Sequence, residues 1–170
     1  LRFKDLNANG KLDPYEDWRL PHVARAQDLV GRMTLAEKAG MMLIATNNPE
    51  CGGGISERGH DLIDNQLMTR FILRARVTAQ APDCSVELTG FALRGGYPQT
   101  PAQMAGFTNA VQERLEGSRL GIPALFKDNA RNHVETNPMF GIAAGAGAFT
   151  EFPKEAGLAA AALGAGAPTD

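Results

Sequence analysis

An α/β fold of βα units around a parallel sheet is what this 170-residue chain predicts. Three observations predict it. Residues 122–126, Ile-Pro-Ala-Leu-Phe, form a short apolar run opened by Gly121, the pattern of a strand buried on both faces of a parallel sheet. Two stretches, 22–33 and 100–117, repeat apolar residues at three- and four-residue steps, the period of an amphipathic helix. Helix and strand signals alternate along the chain, as βα units require.

The first element is a turn with metal-ligand spacing. Asp5-Leu-Asn-Ala-Asn-Gly-Lys-Leu-Asp-Pro-Tyr-Glu16 fits the twelve-residue EF-hand loop at each ligand position. Asp5, Asn7, Asn9, Asp13 and Glu16 supply side-chain oxygens, Lys11 a backbone carbonyl, and Gly10 the sharp turn. A hard cation takes six to eight oxygens, so the spacing predicts one structural calcium ion. No second loop and no long helix pair accompany it, and Pro21 soon follows, which argues against a calcium sensor.

Val23, Ala26, Val30 and Met33 then give the stripe of the first helix, over 22–33. Thr34-Leu-Ala-Glu37 is a capping box opening a second helix through Ala39, Met42 and Leu43, with Met33, Met41 and Met42 as core filler. Residues 46–60 carry Asn47, Asn48, Pro49 and three consecutive glycines from Gly52, and read as a flexible loop without a phosphate-binding framework. Phe71-Ile-Leu73 is a strand within 69–77, and 83–93 a hairpin or inserted loop. Thr100-Pro-Ala-Gln103 is a second capping box, with Met104, Phe107, Val111 and Leu115 as the stripe and Gly117 near the helix end. Residues 143–149 are small enough for a strand or tight loop, and Pro153 opens a last helix to about Leu163.

Composition excludes several classes. Apolar residues make up 44%, charged residues 21%, and the net charge is −2 with basic residues scattered, which argues against nucleic acid or an anionic membrane as partner. No apolar run reaches the roughly 18 residues of a membrane span. The chain starts at Leu1 with no readable leader, which suggests a processed chain or a piece of a longer one. Cys51 and Cys84, two cysteines only, read as free or buried thiols, with pairing left open.

The strand at 122–126 delivers Lys127, Asp128, Asn129, Arg131, Asn132, His133 and Glu135 within nine positions. Ligands of α/β folds gather past the carboxyl ends of strands, so this cluster marks one edge of a polar-ligand pocket. A helix N-cap at Asp128 followed by a solvated turn is the plain alternative.

Four stretches, taken together, resemble the N-terminal domain of glycoside hydrolase family 3, which includes bacterial β-glucosidases and exo-β-glucanases. They are Phe3-Lys-Asp-Leu-Asn with Asn9-Gly-Lys-Leu-Asp-Pro-Tyr-Glu-Asp-Trp18; Arg32-Met-Thr-Leu-Ala-Glu-Lys-Ala-Gly40; Ser118 through His133; and Gly145-Ala-Gly-Ala-Phe149 with Phe152-Pro and Gly157-Leu-Ala-Ala. The resemblance implies the N-terminal portion of a (β/α)₈ barrel over 21–170, incomplete, after a calcium loop and lead-in over 1–20. It implies retaining hydrolysis of terminal β-D-glucosyl residues through a covalent glycosyl-enzyme, by two carboxyl groups about 5–5.5 Å apart. Asp128 matches the family aspartate that grips sugar hydroxyls, with Arg131 and His133 in supporting roles.

The expected ligand is a β-glucoside or short β-glucan, with no organic cofactor. The expected partner is the remainder of the barrel and its C-terminal domain, in the periplasm or outside the cell. A whole barrel takes about 250 residues. The family's Lys-His pair and Ser-Asp-Trp-like nucleophile motif are missing, so nucleophile and general acid are absent, and Glu135 or Glu151 has no claim to either role. Alternatives are a calcium-stabilised carbohydrate-binding or scaffold module, or a β-xylosidase or β-N-acetylglucosaminidase homologue.

Overall fold

The computed structural model of the protein describes residues 2–90, 92–127, 152–153 and 155–166, with the backbone alone for Leu93 and Arg94. After the leading turn come helices α1 (His22–Arg32) and α2 (Leu35–Met42), then strand β1 (Ala45–Thr46), helix α3 (Glu57–Asp64) and strand β2 (Arg70–Ile72). The short α4 (Ala92–Gly95), the long α5 (Pro101–Glu116), strand β3 (Leu125–Lys127) and α6 (Glu155–Gly164) complete the order. The three strands form one parallel sheet in the order β1-β2-β3. Ala45 pairs with Phe71, and Phe71 in turn with Phe126. Because α3 and α5 make the crossovers, the described residues hold two βα repeats ending in β3. No described helix is long and apolar enough to cross a membrane.

Local chemistry explains the helix boundaries. Both predicted capping boxes form: Thr34 with Glu37, and Thr100 with Gln103, each satisfying two end N–H groups that the helix itself leaves unpaired. Pro101 sits at the first turn of α5, where its missing N–H takes nothing from the helix. Ser56 caps α3, whose first turn falls in the stretch 46–60 expected as loop, by accepting from Gly59 N–H. A Cβ at Gly59 would lie 2.6 Å from Asn47 Oδ1, so a larger residue there would force the buried Asn47 side chain to move.

The core is one cluster: Leu62 and Ile63 of α3, Met68, Phe71 of β2, and Phe107, Val111 and Leu115 of α5. Phe126 of β3 completes it, with ring centroids 6.1 Å from Phe71 and 6.4 Å from Phe107, both tilted. Gln112 of α5 sets the entry of β3, donating from Nε2 to Ala124 O and accepting from Ala124 N at Oε1. The leading segment is strapped across the turn before β3. Tyr15, 4% exposed, donates its hydroxyl to Leu120 O, and burial pushes its pKa up to about 12. Gly121, at φ +58, passes so close to the segment that a Cβ would meet Leu6 O at 2.3 Å. Arg119 pairs with Glu37 and donates to Arg32 O, tying the α1–α2 corner to the same turn.

Four expectations are corrected here. Residues 122–126 are not buried on both faces: Leu125 is 58% exposed, on the face of β3 opposite the core-packed Phe126, and β3 has no fourth strand beside it among the described residues. The stripe of α1 is uncovered as well, with Val23 and Val30 about half exposed along a shallow apolar groove shared with Ala26 and Lys38. Met33 is buried as core filler should be, but Met42 is 80% exposed. Finally, Cys51 and Cys84 are not free thiols. They form a disulfide with Cα atoms 5.7 Å apart, and the described residues hold no free cysteine. With 33 positions between the partners, Cys51→Ser should lower the unfolding free energy by about 2–4 kcal/mol, measured by denaturant melts under oxidising conditions. Melts unchanged by that substitution would show that the bridge does not constrain the chain.

Candidate functional site

The carboxyl ends of the three strands lie side by side, which is where an α/β sheet places ligands. β1 ends in Thr46, followed by Asn47 and Asn48. The ladder runs one residue past β2, since Leu73 N donates to Lys127 O, and Arg74 follows. β3 ends in Lys127, and Asp128 is next in the chain. Asp128, Arg131 and His133 all lie outside the described residues, as do Glu135, Glu151 and the small-residue stretch 143–149.

What the described residues do show is how this rim is held. Asn47 N donates to Ile72 O, and the Asn47 side chain is 2% exposed with no hydrogen-bonding partner among the described residues. Asn48 Oδ1 accepts from Arg74 N at 2.9 Å, and Arg74 Nε donates to Thr46 Oγ1, also at 2.9 Å. Gln99 is fully buried and joins the loops above β1 and β2, donating from Nε2 to Glu50 O and Tyr97 O. Its backbone bridges Val77, accepting from Thr78 N and donating to Arg76 O. The Cys51–Cys84 disulfide ties the same two loops. Sequence reasoning missed Arg74, Asn47 and Gln99. The signal for Arg74 was its place one residue past an apolar strand; Gln99 had none.

The calcium expectation is overturned. Among the described residues no group of three or more His, Cys, Asp or Glu side chains is placed to hold a metal ion. The oxygens of the predicted ligands are turned to N–H donors instead. Asp5 accepts from the backbone N–H of Asn9 and Gly10, at 3.1 and 2.7 Å. Asp13 Oδ2 accepts from the side-chain amides of Asn7 and Asn9, and its Oδ1 faces Arg32 at 3.0 Å. Glu16 accepts from Leu6 N and Asp13 N, while Lys11 N donates to Asn9 Oδ1. The spacing therefore builds a self-satisfied turn in which the Arg32 guanidinium supplies the positive charge.

Three carboxylates of this leading region have lowered pKa values. Asp13 is lowered chiefly by the Asn7 hydrogen bond, and Glu37 chiefly by the one from Arg119. Asp17 is lowered to about 2, first by the side-chain hydrogen bond from Arg19. A depressed carboxylate stabilises the fold fully above its unfolded value, 4.5 for Glu37 and 3.8 for both aspartates, and loses that contribution as pH falls through its folded value. The melting temperature should accordingly hold steady above about pH 5 and decline towards pH 2. A melting temperature flat across that interval would show that these pairs do not stabilise the fold.

No family model matches the chain. Among curated proteins it is 41% identical over 160 residues to a periplasmic β-glucosidase/β-xylosidase of Dickeya chrysanthemi, an alignment covering 94% of this chain and 22% of that protein. It is 29% identical over 138 residues to β-glucosidase C of Emericella nidulans, and 28% identical over 142 residues to a probable β-glucosidase C of Aspergillus oryzae. Each of these alignments covers 80% of this chain and 19% of the relative. The chain is thus similar to one segment of proteins named as β-glucosidases, and spans about a fifth of the length of the curated relatives it matches.

Proposed function

We propose that the chain is the N-terminal portion of a glycoside hydrolase family 3 barrel, and that the full-length protein removes terminal β-D-glucosyl residues with retention of configuration. The single observation that carries this reading is the 41% identity to the Dickeya protein across nearly the whole chain. The open sheet agrees with it: two βα repeats with an uncovered β3 are what the opening of a (β/α)₈ barrel looks like before later strands close it. Residues 21–170 form that portion, with 1–20 as a lead-in strapped over the turn before β3. Asp128 grips the sugar, since a carboxylate accepts two hydroxyl hydrogen bonds at once and so orients the ring. Arg131 and His133 support it. The nucleophile and the general acid come from sequence beyond this stretch.

A pentose substrate is a second reading, because the Dickeya relative is described as a β-xylosidase as well. A periplasmic or secreted location is part of this reading, supported by the periplasmic description of the same relative and by the disulfide, which persists in oxidising compartments. The test is hydrolysis of aryl β-D-glucoside and aryl β-D-xyloside by the full-length protein, following the anomer first released by NMR. Release of the β-anomer supports a retaining mechanism. Release of the α-anomer, or no turnover of either substrate, overturns the reading.

A further inference from the structure

We propose that Arg74 is a second sugar-binding residue, donating from its Nη groups to hydroxyl oxygens of the glycone ring. The assignment rests on the reading of the full-length protein as a β-glycosidase. Arg74 leaves the sheet at the carboxyl end of its middle strand, β2, between the end of β1 and the end of β3. In register, Ile72 pairs with both Thr46 and Lys127, so Arg74 follows β2 by two residues, level with Asn48 past the end of β1.

Its placement is fixed twice from β1. The backbone N–H is held by Asn48 Oδ1, and Nε is held by Thr46 Oγ1. A hydrogen bond at Nε sets the plane of the guanidinium and leaves the four Nη hydrogens for another acceptor. Both anchors are neutral. Arg19, Arg32, Arg114 and Arg119 each rest on a carboxylate, but among the described residues no carboxylate pairs with Arg74. A half-buried guanidinium held in one plane presents its Nη hydrogens to an oxygen-rich ligand, and the β-glycosidase reading makes those oxygens ring hydroxyls. Vicinal ring hydroxyls match that fork, the Nη groups donating to their oxygens.

The test compares wild-type full-length protein with Arg74→Met, Arg74→Lys and Thr46→Val, on an aryl β-glucoside and its monodeoxy analogues. Arg74→Met should lower kcat/KM by about 10- to 100-fold, with Arg74→Lys recovering part and Thr46→Val losing less. Against the analogue lacking the contacted hydroxyl, wild type and Arg74→Met should converge to within about threefold, since both then lack the same bond. Unchanged kinetics in Arg74→Met would overturn the assignment. So would an equal loss on every analogue, which marks a brace between β1 and β2 or a positioner of Asp128. Where Arg74→Met melts well below wild type, the same analogue series on Arg74→Lys decides. Failure of the glycosidase reading itself shows separately, as a wild-type protein inactive on every β-glycoside.

Discussion

Asp128→Ala in the full-length protein should lower kcat/KM on an aryl β-glucoside by about 10²- to 10⁴-fold. The magnitude follows from two charge-assisted hydrogen bonds to ring hydroxyls, worth roughly 1.5–3 kcal/mol each once water is excluded. The loss should fall on kcat as well as KM, because correct seating of the ring determines whether the anomeric carbon meets its nucleophile. Asp128→Asn keeps the size and one acceptor and should lose less. Steady-state kinetics of both variants check this. Kinetics unaltered in Asp128→Ala would remove this residue from the sugar site.

Phe71→Ala carries the largest expected effect on stability, about 3–5 kcal/mol, as for other large core aromatics cut to alanine. Phe71 is fully buried on the middle strand, paired in register with both neighbours, and its ring leans on Phe126. The cavity would open where α3, α5 and β3 meet the sheet, so collapse around it is limited. Denaturant melts of the full-length protein measure the loss. A change under about 1 kcal/mol would mean that this cluster is not the core of the segment.

The elements legible in the sequence were those whose signal is local. Thr34-x-x-Glu37 and Thr100-x-x-Gln103 announce α2 and α5 because a capping box is complete within four residues, and Phe107, Val111 and Leu115 proved buried at the spacing that suggested them. Strand β1 was hidden by its surroundings. It is two residues long and directly follows the apolar run of α2, so periodicity has nothing to separate. Helix α3 was hidden by the glycines before it, and Ser56 lacks the Glu or Gln partner that completes a capping box. Leu125 misled because an apolar strand looks the same whether its neighbour is present or not.

Non-local features were out of reach for a physical reason. The Cys51–Cys84 pairing depends on two loops brought together by β1 and β2, and spacing alone does not report it. The calcium expectation failed in the same way. Asp5, Asn7, Asn9, Asp13 and Glu16 stand at ligand spacing, but the donors that occupy them include Arg32, from a different helix. At the candidate site, Asp128 drew attention through its charged neighbours. Arg74 became visible only when the register placed it beside the end of β1.

The central claim is that this stretch supplies a sugar-gripping rim and part of a barrel, while the reacting carboxyl groups come from further sequence. Uncovered apolar side chains such as Val30, Leu35, Met42 and Ile44 fit a surface that other strands and helices complete. The most direct measurement sets the purified 170-residue chain beside the full-length protein in an aryl β-glucoside assay. The account predicts turnover by the full-length protein and none by the isolated chain, which should also associate in solution. Turnover by the isolated chain, abolished by Asp128→Ala, would contradict it.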